Sequence, residues 1–317
     1  MTAAAMLEEV FRLFPAQVNA ALPTARKQVN AWADAPALMP SADFRKRFAA
    51  ADFGYFVALV HPEVDAEALA LAADWFAWLF LVDEELGGGG ADLDEAGGLA
   101  AQACSVLRGA GPGGDGPAAD APLITALTEL WRRTAPRGSA AWRTRFIGHL
   151  EECLYSAAYW KGGNRLRGIV PDRDTYIDRR RHTGASYVCL DLVEVLGGFE
   201  ASARRCRESV FSEALNATCD VVCWTNDVFA LADGRSLGEI HNLAYVVGYH
   251  DKIDEAEAIS RVCADIDARI RQFLDLEANL LGRTAPDQAD VTTYLGSMRT
   301  WMRGNFDWSS RIRTFAS

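Results

Sequence analysis

The chain has no CxxC pair, no Cys/His spacing suited to zinc, little strand-like alternation and no long apolar run. Each shortage excludes a class of protein. Its seven cysteines (Cys104, Cys153, Cys189, Cys206, Cys219, Cys223 and Cys263) are scattered, so neither a disulfide framework nor a zinc cluster is expected. They read as buried free thiols of a reducing compartment. No stretch approaches the roughly 18–20 uninterrupted apolar residues of a membrane span. The opening MTAAAMLEEVFRLFP has no charged segment followed by an apolar one. A cytoplasmic protein without stable membrane insertion is therefore expected. Basic residues are outnumbered, 32 to 43, and the formal charge of −11 argues against nucleic acid or an anionic membrane as partner. An anionic substrate would need bridging cations or a local basic cluster.

What is present is helical periodicity. Apolar residues recur at helical spacing through nearly the whole chain. This predicts helices near 43–60, 64–86, 93–109, 119–134, 139–162, 172–184, 186–197, 202–213, 215–233, 239–249, 251–276 and 287–305. The glycine-rich stretches 87–94 and 109–120 read as loops. Neither alters the composition around it, so residues 1–317 are expected to form one all-α domain. LALAADWFAWLFLV (69–82) is apolar on more than one face, which suits a central helix of a large α-helical bundle.

Three places concentrate chemistry. Asp83, Glu84 and Glu85 end the apolar helix, where acidic side chains oppose the helix dipole. Without lysine partners they would suit hard divalent cations such as Mg²⁺, which take oxygen ligands and bridge to phosphates. A solvated helix end is the plain alternative. In WTNDVFALADGRSLGEIHN (224–242), Asn226 and Asp233 are seven residues apart, so their directions on a helix differ by only about 20°. Both could share a cation, although Asp233-Gly234 also reads as a helix stop. In YIDRRRHTG (176–184), three arginines precede an apolar segment, so at least one guanidinium is expected to point inward. Gly184 would break the helix there.

Together these stretches resemble the bacterial class I terpene synthases. WLFLVDEEL (78–86) is similar to the family's aspartate-rich motif. NDVFALADGRSLGEIHN (226–242) aligns without a gap on its second metal motif, and RRHTG (180–184) on its diphosphate-sensor stretch. WKGGNRLRGIVPDRDTY (160–176), FPAQVN (14–19), AWA (31–33) and GNFDWSSRIR (304–313) extend the resemblance nearly end to end. It implies a single-domain α-helical bundle around a central hydrophobic cavity. There, up to three Mg²⁺ ions trigger ionisation of a polyprenyl diphosphate, and the carbocation cyclises against aromatic walls. Carried over, Asp83 and Glu84 would bind metal, Asn226 would anchor the second metal site, and Arg180 would sense the diphosphate. Thr183 would link it and Gly184 would act at the helix break. Phe53, Trp75, Trp78, Phe80 and Trp308 are candidates for the cavity wall, and Arg311 or Arg313 for a C-terminal diphosphate contact. Similar proteins are commonly homodimers.

The chain departs from that pattern at several positions. Glu84 replaces an Asp, Gly87 an acidic residue, Ala230 a Ser and Gly234 a Glu, so two of three ligands of the second motif are gone. Lys161 stands where an acidic residue follows the Trp, and the closing pair lacks its Tyr. Asp233 is expected to keep the third cation, more weakly; the alternative is that Asp83, Glu84 and the arginines suffice. The expected activity is cyclisation of farnesyl or geranylgeranyl diphosphate, leaning to the C20 chain because Ala77 and Ala230 would leave room. A lapsed diphosphate-binding protein and an enzyme releasing a linear alcohol remain alternatives.

Overall fold

The computed structural model describes residues 2–35, 38–39, 41–87, 93–109, 121–232, 240–283 and 286–312. Among these, fifteen α-helices and no strand are found. Residues 110–120 of the predicted loop 109–120, residues 88–92 of the other glycine-rich stretch, and positions 233–239 and 313–317 lie outside them. No helix among the described residues is long and apolar enough to cross a membrane.

Two short helices open the chain, α1 (Ala3–Phe11) and α2 (Leu22–Ala33), where no helix was expected. Thr2 caps the first by accepting from Ala5 N–H, and Pro23 sits in the first turn of the second. The stretch expected as one helix over 43–60 is two, α3 (Ala42–Ala50) and α4 (Phe53–Val60). Asp52 breaks it with a left-handed φ of 47°, and its carboxylate accepts from Tyr55 N–H to start α4. Arg26 Nε and Nη2 grip the same carboxylate at 2.9 and 2.6 Å. A period-3.6 pattern cannot reveal that break, because the apolar positions continue in phase across it.

Then follow α5 (Ala66–Gly87), α6 (Leu93–Leu107), α7 (Pro122–Thr134) and α8 (Ala140–Tyr155). The last continues through a π-helical stretch, Ser156–Lys161, into α9 (Gly162–Arg167). After them come α10 (Arg173–Thr183), α11 (Ser186–Gly197), α12 (Ser209–Ala232), α13 (Leu243–Asp251), α14 (Glu255–Leu281) and α15 (Gln288–Ile312). The two helices expected over 202–233 are therefore a short 3₁₀ turn at Arg205–Arg207 followed by one long helix.

Helix α11 is the most enclosed: from Val188 to Leu196 every residue is buried. It packs on α5, α8, α10, α12 and α15. The expectation of a central α5 holds in part, since Trp75, Ala77 and Trp78 are fully buried as well. Buried charge pairs also link these helices. Arg181 donates from Nε and Nη2 to the two oxygens of Asp220 (2.7 and 2.9 Å), and Arg269 Nε adds a contact at 2.9 Å, tying α10, α12 and α14 together. Removing one partner of such a buried pair costs about 3–5 kcal/mol, because the other charge is left uncompensated.

His61, the residue closing α4, is buried and packs edge-on against Trp301, ring centroids 5.7 Å apart. Burial pushes its pKa down to about 4 from an ordinary 6.5. A depressed imidazole pKa means that the unfolded chain takes up a proton first, so stability falls as pH drops from about 6.5 towards 4. His61→Gln is expected to remove up to ~1.4 kcal/mol per pH unit of that slope, read by urea unfolding between pH 7 and 4.5. Burial also lowers His182 and His241, so part of the acid sensitivity remains in the variant. An unchanged slope would show that His61 is solvated.

Candidate active site

Helices α4, α5, α10, α11, α12 and α15 enclose a cavity of about 220 Å³. Its apolar side is aromatic. Phe53 and Phe80 lie 4.5 Å apart between ring centroids, Phe56 and Phe76 4.4 Å, and Trp308 closes on Phe53 at 5.8 Å and Phe56 at 5.0 Å. Trp308 is fixed by its indole N–H, which donates to Ala51 O at 2.8 Å, exploiting the carbonyl freed at the α3–α4 break. Trp301 and Leu79 complete this side. The polar side is formed by Asp83, Arg180, Thr183 and Asn226. A pocket with an apolar wall and a few convergent polar groups is the usual form of a small-molecule site.

Each of the three consecutive arginines has its own direction. Arg179 pairs with Glu152 near the surface and Arg181 with Asp220 in the core, whereas Arg180 reaches the cavity. Arg180 donates from Nε and Nη2 to Asp227 Oδ1 at 3.1 and 3.0 Å, and Nη2 lies 3.4 Å from Asn226 Oδ1. Burial by itself would lower the Arg180 pKa, but Asp227 outweighs it and holds the guanidinium charged. Asp227 also accepts from Tyr176 Oη at 2.6 Å and Leu243 N–H at 3.1 Å, and Asn242 Nδ2 donates to its carbonyl at 2.7 Å. Asp227, Tyr176 and Asn242 stand inside the sequence motifs, but the motifs alone assign them no role. The adjacency of Asn226 and Asp227 was the available signal, since neighbours on a helix point about 100° apart, one to the cavity and one to the arginine.

The turn after α10 combines two demands. A Cβ on Gly184 would lie 2.7 Å from Cys223 Sγ and 3.0 Å from Arg180 O, so no side chain fits. The left-handed residue is Ala185, with φ 53°, a conformation costing a non-glycine residue about 1–2 kcal/mol. The expected break is therefore present, but the steric need falls on Gly184 and the backbone strain on Ala185. Both residues line the cavity with Thr183 and Ser186.

The acidic end of α5 divides. Asp83 faces the cavity, and Lys161 Nζ donates to its Oδ1 and Oδ2 at 2.9 and 3.1 Å. The absence of a lysine partner assumed from the sequence is thus corrected: the partner is 78 positions away, on the π-helical stretch. Glu84 turns outward to Arg47 at 3.2 Å and does not line the cavity. Among the described residues, no three His, Cys, Asp or Glu side chains come together as a metal cluster. The oxygens facing the cavity from α5 and α12 are the Asp83 carboxylate and the Asn226 amide, donors that suit a hard divalent cation. Asp233 lies outside the described residues.

Other predicted positions fall elsewhere. Trp75 and Trp78 are packed behind the wall: their indole N–H groups donate to Thr134 Oγ1 and Leu123 O, both at 2.8 Å. Ala77 is fully buried and Ala230 does not line the cavity, so the two alanines that favoured a C20 chain add no room to it. Arg311 lines a second cavity of about 310 Å³ that shares Phe53 and Trp308 with the first, and its guanidinium lies 4.2 Å from the Tyr55 ring centroid. Arg313 lies outside the described residues. Phe56, Phe76, Trp301 and Asn305, which do line the first cavity, were not foreseen.

Known proteins share this architecture. A family model described as terpene synthase family 2, C-terminal metal binding, matches residues 74–272. A germacrene A synthase from Nostoc punctiforme is 28% identical over 302 residues, covering 93% of this chain and 90% of its own length. The (+)-T-muurolol synthase ((2E,6E)-farnesyl diphosphate cyclizing) of Roseiflexus castenholzii is 32% identical over 267 residues, 83% of this chain and 80% of that protein. The crystal structure of a-eudesmol synthase superposes with a TM-score of 0.82 at 21% identity, covering 94% of this chain and 97% of that one. That likeness concerns the fold alone.

Proposed function

The chain belongs to terpene synthase family 2, a metal-binding family, and is a class I terpene cyclase acting on prenyl diphosphates; from that premise we propose how its cavity works and on which substrate. The substrate proposed is farnesyl diphosphate. Six aromatic rings narrow the 220 Å³ cavity, and the relative from Roseiflexus castenholzii is described as cyclizing (2E,6E)-farnesyl diphosphate. The observation that carries the reading is the polarity of one cavity, aromatic at one side and Asp83, Arg180 and Asn226 at the other.

In this reading the diphosphate lies against Arg180, whose guanidinium is pre-set by Asp227 and therefore needs no reorganisation when charge develops on the leaving group. Asp83 and Asn226 would hold Mg²⁺. The metal, when bound, supplies positive charge that favours departure of the diphosphate. Asp233 is proposed to supplement Asn226. Thr183 and the Gly184–Ala185 turn bring backbone close to the reacting carbon, since no side chain at 184 intervenes. The prenyl chain folds against Phe53, Phe56, Phe76, Phe80, Trp301 and Trp308, whose π-faces stabilise successive cations and whose packing keeps bulk water out.

The test is incubation of the purified chain with C10, C15, C20 and C25 prenyl diphosphates, with Mg²⁺ or with EDTA, read by gas chromatography–mass spectrometry and diphosphate release. A cyclic product from the C15 substrate alone, absent with EDTA, is expected. A linear alcohol would instead indicate capture of the first cation by water. Turnover of C20 but not C15 would overturn the substrate assignment, and neither product nor diphosphate release from any chain length would overturn the enzymatic reading.

A further inference from the structure

Lys161 is the position where charge is inverted relative to the expected pattern, and the structure gives it a specific contact. Its ammonium bridges both oxygens of Asp83, itself a wall residue of the cavity. The lysine side chain is 15% exposed and that of Asp83 46%, so the ammonium is largely buried while the carboxylate keeps access to solvent. The local backbone builds this contact. The π-helical stretch Ser156–Lys161 interrupts the α-helical register and ends on Lys161 itself. Such interruptions frequently sit at functional sites because one extra residue re-aims the side chains that follow. Glycines let this stretch pack closely on α6: a Cβ on Gly162 would lie 3.2 Å from Leu93 Cδ2, and one on Gly97 would overlap the Tyr159 hydroxyl.

The end of α5 has no basic residue of its own in its last turn. The dipole and Asp83 together therefore call for a cation, and Lys161 supplies it from the π-helical stretch. Further cations are near. Burial first, then the charges of Lys161, Arg165 and Arg180, lower His241 to about pKa 3.

We propose that Lys161 is a tethered cation of the diphosphate site: it neutralises Asp83 in the ligand-free chain and passes to the diphosphate when a divalent metal takes Asp83. A lysine can do this because its charge is compact and sits on a flexible four-carbon stem. The inference rests on the cyclase reading and deepens it. One ammonium does two jobs: it competes with metal before substrate arrives, and it shares the diphosphate charge afterwards. This would compensate for ligands lost from the second motif at Ala230 and Gly234 without requiring a full set of metal donors.

The two jobs give effects of opposite sign in one variant. In Lys161→Gln, Mn²⁺ binding to the full chain without diphosphate, followed by electron paramagnetic resonance, is expected to tighten about tenfold as Asp83 is released. In the same variant, inorganic pyrophosphate binding in the presence of Mg²⁺, followed by calorimetry, is expected to weaken about tenfold. Lys161→Arg should keep the pyrophosphate affinity within about threefold, and circular dichroism checks that both variants are folded. Mn²⁺ affinity that is unchanged or weaker in Lys161→Gln overturns the competition with metal. Unchanged pyrophosphate affinity overturns the transfer to diphosphate. Either result with normal wild-type turnover leaves the cyclase reading standing, whereas a wild type that neither binds pyrophosphate nor turns over any prenyl diphosphate overturns both.

Discussion

Arg180→Gln is expected to lower kcat/KM by about a thousandfold, since a pre-positioned donor aimed at developing charge contributes on that order. Two further consequences separate this loss from simple misfolding. First, Asp227 keeps its donors from Tyr176 and Leu243, so the fold survives, but a buried carboxylate loses its counter-charge. The stability cost should be at the lower end of the 3–5 kcal/mol seen for breaking a buried pair, about 3 kcal/mol by urea unfolding. Second, Arg180→Lys restores the charge without the two-nitrogen contact to Asp227 Oδ1. It should recover most of the stability and only part of the rate. If Arg180→Gln turned over within tenfold of the wild type, the diphosphate would have to lie elsewhere in the cavity.

The second large effect contrasts neighbours. Asp83→Asn is expected to reduce kcat/KM by about a hundredfold or more, because a metal ligand supplies several kcal/mol at roughly 1.4 kcal/mol per factor of ten. Glu84→Gln, one residue on, should stay within about tenfold of the wild type. Its carboxylate turns to Arg47 on the outside of α5 while that of Asp83 faces the cavity. Steady-state rates over a Mg²⁺ titration distinguish the two: the Asp83 variant should need more metal to reach half-maximal rate, and the Glu84 variant should not. Equal losses would mean that α5 turns in the complex to present both carboxylates.

Much of the site is legible in the family pattern of the sequence. The RRHTG stretch pointed to Arg180, and the apolar run before Asp83 pointed to a cavity with a carboxylate at its mouth. The wall was less legible. Phe53, Phe80 and Trp308 stand in it, but Trp75 and Trp78 pack behind it against Thr134 and Leu123. Residues 75, 76, 78, 79 and 80 of one helix are all apolar, and periodicity cannot say which of its faces meets space and which meets another helix. Similarly, Ala77 looked like room for a longer chain because a small residue near the motif can face either a void or a close neighbour; here it is fully buried.

By itself, then, the sequence determined the class of molecule: helical spacing throughout, caps such as Ser41, Ser139 and Asn242 that start helices where they stand, and a short set of charged residues in family order. These are local properties, carried by neighbours within a turn or two. Tertiary structure alone decided which of three arginines enters the cavity, that Asp227 serves Arg180 from a neighbouring helix, that the helix expected over 43–60 bends at Asp52 so that Ala51 can hold Trp308, and that Lys161 lies on Asp83. The pairs Asp227–Arg180, Lys161–Asp83 and Ala51–Trp308 join residues 47, 78 and 257 positions apart. Such pairings depend on how helices rotate against one another, and that rotation is set by burial of the whole core and its paired charges, a quantity no single stretch of sequence contains.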